Sequence, residues 1–146
     1  MMANLEKYMS KKTTNTRGWS GKDADQWMAV AHLSGRSGVK GLCLKTVRQA
    51  WQIPAKFPSA ISAWNNTPNK NKFTDPMKAP IGATHFWKGG KFGHVAIQSS
   101  KPGYVWNTDL PVKDRVGKIY YTEVNERWGY KYLGWTNKLN GVDLNV

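Results

Sequence analysis

The sequence predicts an α+β domain, with helices in its first half packed on an antiparallel β-sheet meander in its second. Three observations carry this. Trp27, Val30, Ala31 and Ser34 fall at helical spacing, and so do Cys43, Val47, Ala50 and Trp51. After residue 80 the pattern changes to short runs rich in Val, Ile, Thr and aromatic residues, broken by Gly-Gly and Pro-Gly pairs. The length of 146 residues suits a single hydrophobic core. Helices followed by strands around one core give an α+β arrangement.

The elements follow in order. Residues 1–19 are polar and basic (Lys7, Lys11, Lys12, Arg17) and read as a flexible arm, leaving 20–146 as the domain. Ser20 with Asp23 three residues on has the form of a capping box, so a helix is placed at about 22–34 and closed by Gly35. A Gly- and Ser-rich turn, SGRSGVKG, comes next. The second helix runs from about Leu42 to Trp51 and stops before Pro54. Cys43 then sits in its first turn, on the apolar face with Val47, Ala50 and Trp51. Pro58-Ser59 starts a short third helix through Trp64, and residues 65–80 read as a long exposed loop rich in Asn, Lys and Pro. Strands are expected at Ala83–Lys88, Phe92–Ser99, Tyr104–Asp109, Val116–Thr122 and Lys131–Trp135. Gly89-Gly90 and Lys101-Pro102-Gly103 supply turns between them. Most of the eight Trp are expected in the core, with one or two lining a groove.

Composition narrows the function. The chain has 22 Lys and Arg against 9 Asp and Glu, a net charge of +13. That favours an anionic partner: nucleic acid, anionic lipid headgroups or cell-wall polymers. The single cysteine excludes an intramolecular disulfide, Cys-based zinc fingers and CxxC redox chemistry. No run of 18 apolar residues predicts a transmembrane helix. The N-terminus lacks the apolar stretch of a secretory signal, so synthesis and first folding in a cytoplasm are expected. Three scattered His without HExxH spacing argue against a zinc site, and no cofactor is expected.

Cys43 is the candidate nucleophile, because a helix N-terminus stabilises a thiolate. Arg36, Lys40 and Lys45 add positive potential around it. A nucleophilic cysteine needs a base, and His94 opens a strand at a sheet rim. A hairpin loop of two or four residues puts His94 and Ala96 on one face with Val105, Asn107 and Asp109, and an odd loop would present Thr108 instead. Asn107 and Asp109 are thus candidates to orient the imidazole. The residues alone leave both open, although a neutral amide such as Asn107 accepts from His Nδ1–H without a buried charge. Small Ala96 would let the Cys43 helix approach. His32 is expected to cap carbonyls at its own helix C-terminus, and His85 is a core or rim residue and the reserve base.

Three stretches resemble a family. GLCLKTVRQAW, APIGATHFWKGGKFGHVAIQSS and GYVWNTD, with the final WGYKYLGW, look like the CHAP and NlpC/P60 superfamily of papain-like cysteine peptidases and amidases, as in phage lysins. The resemblance covers about residues 20–139. It implies a papain-like fold, Cys43 as nucleophile, His94 as general base and peptidoglycan as substrate. The family often has Pro-x-Gly-Asp at the first strand, where this chain has Pro80-Ile81-Gly82-Ala83. The third member is His in many NlpC/P60 proteins and Glu or Asn in CHAP domains, and Asn107-Thr108-Asp109 stands there. The expected activity is peptidoglycan hydrolysis, by amidase or endopeptidase chemistry through a thioester. The expected agent is a monomer, either released through a pore in the host membrane or carried in a virion. Its partners would be peptidoglycan and anionic wall polymers, with no specific nucleic acid. The rival readings are a basic nucleic-acid-binding protein and a wall-binding module of the same fold that does not cut.

Overall fold

Helices and strands segregate as their apolar periods require, in a computed structural model that describes residues 15–146. Helix α1 spans Gly21–Leu33 and is entered through the expected capping box: the Ser20 hydroxyl accepts from the Asp23 N–H, and the Asp23 carboxylate accepts from the Ser20 N–H. Helix α2 spans Cys43–Trp51 and closes on Gln52 in the left-handed conformation. Helix α3, Ala60–Asn65, is N-capped by the Ser59 hydroxyl.

The main sheet has six strands in the order β2-β7-β3-β4-β5-β6, all neighbours antiparallel. They are β2 (Lys72–Phe73), β3 (Thr84–Lys88), β4 (His94–Gln98), β5 (Tyr104–Thr108), β6 (Val116–Tyr120) and β7 (Lys131–Thr136). Helix α4, Thr122–Trp128, lies between β6 and β7 in sequence. A second sheet joins β1 (Asn15–Ser20), β9 (Val142–Asn145) and β8 (Lys138–Leu139), with β1 parallel to β9.

Strand alternation gives the main sheet two apolar faces. One packs against α1 and α2 and contains Ala24, Met28, Val47, Trp51, Phe86, Val95, Ile97 and Trp106. The other is smaller, built from Trp87, Ala96, Val105, Ile119 and Val124, the last from α4. Ala96 therefore does not make room for the Cys43 helix. Val95 and Ile97 face that helix, and Ala96 points to the opposite side.

Other expectations also change. The end of the presumed arm is strand β1, because it finds a parallel partner at the other end of the chain; residues 1–14 lie outside the described residues. The presumed loop at 65–80 holds two short 3-10 turns and β2, an edge strand paired with β7. The strand expected through Thr122 ends at Tyr120, and α4 follows. The hairpin register is as required: Ile97 pairs with Trp106 and Gln98 with Val105.

The junction of α1, α2 and β3 depends on glycine. Trp51 is fully buried and its Nε1 donates to the Gly82 carbonyl at 2.9 Å. Gly82 has φ +91°, and a Cβ there would meet Gly21 Cα and come within 2.8 Å of the Trp51 ring. The glycine of the Pro80-Ile81-Gly82-Ala83 stretch is thus needed for close packing. Gly82→Ala should cost ~2–3 kcal/mol, from backbone strain and displacement of the indole. Urea unfolding measures this, and a cost below ~0.5 kcal/mol would show that the junction relaxes freely.

Candidate active site

The fixed point of the site is Asn107. It has no exposed surface. Its Nδ2 donates to the Leu110 carbonyl at 2.9 Å and the Gly117 carbonyl at 3.0 Å. Both amide hydrogens are thereby used, which assigns the Oδ1 end to His94, 3.0 Å from Nε2. Since Oδ1 can only accept, Nε2 carries the proton and donates. His94 is held as the Nε2–H tautomer, with the lone pair on Nδ1. The amide meets the ring through Nε2–H, where Nδ1–H was expected. Trp128 meets the ring edge-on at 4.9 Å and Trp87 lies 5.8 Å away, so aromatic walls enclose the imidazole.

Cys43 opens α2 without a side-chain cap at the preceding Leu42. Its own N–H belongs to the first turn, which has no partner within the helix. The sulfur lies among three backbone N–H groups that favour the thiolate: those of Val95, Leu44 and Cys43 itself. Val95 directly follows His94, but its side chain faces α2, whereas His94, like Ala96 two residues on, faces the other side of the sheet, against Trp87 and Trp128. The thiol and imidazole form no hydrogen bond with each other among the described residues.

Burial dominates the electrostatics. Desolvation pushes the Cys43 thiol above its ordinary value, outweighing the three amides. The Asp109 carboxylate raises it further. Desolvation also lowers His94 to about 4, against the opposing pull of Asn107 and Asp109. At neutral pH both the thiol and the imidazole rest uncharged.

Asp109 is near both groups but does not bond the ring. Its backbone is left-handed at φ 72°, Oδ2 accepts from the Gly41 N–H at 2.9 Å, and Oδ1 accepts from the Asp114 N–H at 2.8 Å. Asp114, a residue the sequence did not single out, accepts from the Val39 and Lys40 N–H groups at 2.9 Å each. These amide hydrogen bonds hold the Asp114 carboxyl below the usual carboxylate range. The partners are about seventy residues apart in the chain, and no local spacing signals such pairs.

The other histidines have structural roles. Gln98 spends its Nε2 on the Ser99, Lys101 and Tyr104 carbonyls, so its Oε1 faces His85 Nε2 at 2.8 Å and accepts. His85 Nδ1 lies 2.7 Å from the Tyr132 hydroxyl. Both ring nitrogens are occupied, and His85 is not a free base. His32 Nδ1 meets the Val116 carbonyl at 2.8 Å, tying α1 to β6 in place of capping its own helix. Thr108 is buried, and its hydroxyl has no partner among the described residues.

Two surface clefts lie away from Cys43. One, of about 310 Å³, runs along α1 by Trp19, Trp27 and Arg36, and one of about 340 Å³ adjoins Lys72, Phe73 and Trp135. Among the described residues no cluster of three or more His, Cys, Asp or Glu could hold a metal ion. No described helix is long and apolar enough to cross a membrane. Comparison with family models, curated proteins and solved structures gives no match to this chain.

The buried neutral histidines link stability to acid. His85 and His94 both fall from 6.5 to about 4 on burial. Below pH 6.5 the unfolded chain gains protons that the folded chain refuses until about pH 4. Stability is therefore full above that window and declines as pH falls through it, by ~1.4 kcal/mol per pH unit for each ring. Melting temperatures between pH 7 and 4 at constant ionic strength should fall accordingly; a flat profile would contradict the burial.

Proposed function

We propose that this chain is a papain-like cysteine amide hydrolase that cleaves peptidoglycan. One observation carries the reading: an imidazole locked by a buried amide in the Nε2–H tautomer, next to the Val95 N–H that meets the Cys43 sulfur. On this reading Cys43 on α2 is the nucleophile, His94 on β4 the base and Asn107 on β5 the orienting group. The CHAP and NlpC/P60 resemblance of the same stretches supports peptidoglycan as substrate, as does the charge of +13. Among the described residues three ion pairs form, Arg115–Asp114, Arg127–Glu123 and Lys138–Asp143, so little of the cationic excess is neutralised within the fold.

In the proposed reaction the Cys43 sulfur attacks an amide carbonyl carbon as its proton passes to His94 Nδ1. The Asn107 Oδ1 accepts from Nε2–H throughout, and the Asp109 charge favours the imidazolium. The Cys43 N–H donates to the developing oxyanion. The C–N bond breaks, the amine takes the proton from Nδ1, and a thioester remains. Water attacks the thioester with Nδ1 as base, releasing a carboxylic acid and restoring the thiol. Substrate binding draws thiol and imidazole into hydrogen-bond reach, since such contacts are often longer in free enzymes.

A second reading, a wall-binding module that does not cut, is favoured by the raised thiol and by the lack of a thiol–imidazole hydrogen bond. Zymography on purified walls separates the two. Cys43→Ala and His94→Ala should each lower lysis by at least ~10³-fold with wall binding retained. Full lysis by Cys43→Ala would overturn the hydrolase reading. Where the hydrolase reading holds, the acid limb of kcat/KM should lie near the His94 value of about 4, not near 6.5. Lysis of purified walls should also weaken as salt rises to several hundred millimolar, and a salt-independent rate would remove the charge from the account.

A further inference from the structure

The nucleophile and the base are carried by different elements, but one loop contacts the backbone that supports each. Residues 109–115 join β5 to β6. On one side, Asn107 grips this loop through the Leu110 carbonyl while holding His94. On the other side, Asp109 and Asp114 accept from the consecutive N–H groups of Val39, Lys40 and Gly41, immediately before α2. The Asp114 N–H donates back to Asp109, so the two carboxylates form one unit.

Both residues sit at positive φ, 72° and 61°. A non-glycine residue bears a conformational cost there, though Asp tolerates it better than most. The loop keeps this geometry at two positions, and each carboxylate is aimed at the turn that delivers Cys43. Three successive amides on that turn end in carboxylate oxygens, which fixes where the first turn of α2 begins.

We propose that Asp109 and Asp114 form a clasp that sets the Cys43 position relative to His94, making both of them positioning residues. The inference rests on the hydrolase reading for its link to turnover, and its geometric content stands apart from it. The clasp holds the thiol at the Val95 N–H. Asp109 has a second effect, because its charge raises both the thiol and the imidazole.

The test compares Asp114→Ala, Asp114→Asn and Asp109→Asn by two readouts, turnover on soluble wall fragments and the pH profile of Cys43 alkylation by iodoacetamide. Asp114→Ala should lower kcat by at least ~10-fold with KM nearly unchanged and the fold retained by circular dichroism, as misplacement of a reacting group does. Asp114→Asn should recover most of that loss, since an amide oxygen still accepts from Val39 and Lys40. Asp109→Asn removes the charge and leaves one amide oxygen for the two N–H groups of Gly41 and Asp114, and loss of the charge should move the alkylation profile to lower pH. Should Asp114→Ala fail to fold, the two Asn variants carry the test. An Asp114→Ala protein with lowered melting temperature but unchanged kcat and alkylation profile would reduce the clasp to a structural tie and overturn the proposal. Where the Asn variants alone are available, an unmoved Asp109→Asn profile would overturn it. A wild-type protein without turnover whose alkylation profile still responds to Asp114→Ala and Asp109→Asn would refute the hydrolase reading and leave the clasp standing.

Discussion

Asn107 has no access to water, so its amide must find every partner inside the protein. An unmet buried amide would cost about 1–3 kcal/mol for each group left alone. Two carbonyls, from Leu110 and Gly117, take its hydrogens, and His94 supplies a donor for its oxygen. That satisfaction has three consequences. It sets the imidazole tautomer, closes the β5–β6 loop on itself, and pins β5 to β6 beside the site. Replacing this amide by an apolar group would free the loop and the ring together. The site's geometry thus follows from one buried polar group being fully satisfied.

Burial also explains why the site rests uncharged. In a wet cleft the amides of Val95, Leu44 and Cys43 would favour the thiolate. Here desolvation is larger and leaves the thiol protonated and His94 neutral. An uncharged pair is a workable resting state for general-base catalysis, because the neutral imidazole is the form that accepts a proton. Charge then appears only when the reaction proceeds, where Asp109 and the Cys43 N–H stand close to the changing groups. Asp109 works in one direction at each group: it disfavours the free thiolate and favours the imidazolium.

Local patterns were readable in the sequence, and distant ones were not. The capping box of Ser20 and Asp23, the apolar face of α2 and the parity of the β4–β5 hairpin all depend on residues close in the chain, and all three are present. That parity is what put His94 and Asn107 together. The misreadings share another cause. Strand β1 looked like an arm because its partner β9 lies more than a hundred residues away. Strand β2 looked like loop because two residues carry no period. Ala96 was assigned to the wrong face because alternation relates strands to each other without saying which face a helix covers. Asp109 was read as a possible orienting group because its strand parity was right. Its carboxylate turns instead to Gly41 and Asp114, a choice made by a left-handed backbone that no residue pattern displays.

The opposing character of surface and site is the last link between charge and chemistry. A net charge of +13 acts over about a Debye length, some 8–10 Å at ordinary salt, and attracts polyanions without selecting a bond. Selection has to come from short-range geometry, where among the described residues a carboxylate, Asp109, acts on the thiol. A cation in that place would stabilise a standing thiolate, open to alkylation and oxidation whether or not substrate is present. A carboxylate keeps the thiol protected until a carbonyl and the imidazole are both in reach. Long-range attraction and local restraint therefore act on different stages, the first on encounter with an anionic surface and the second on the reacting bond.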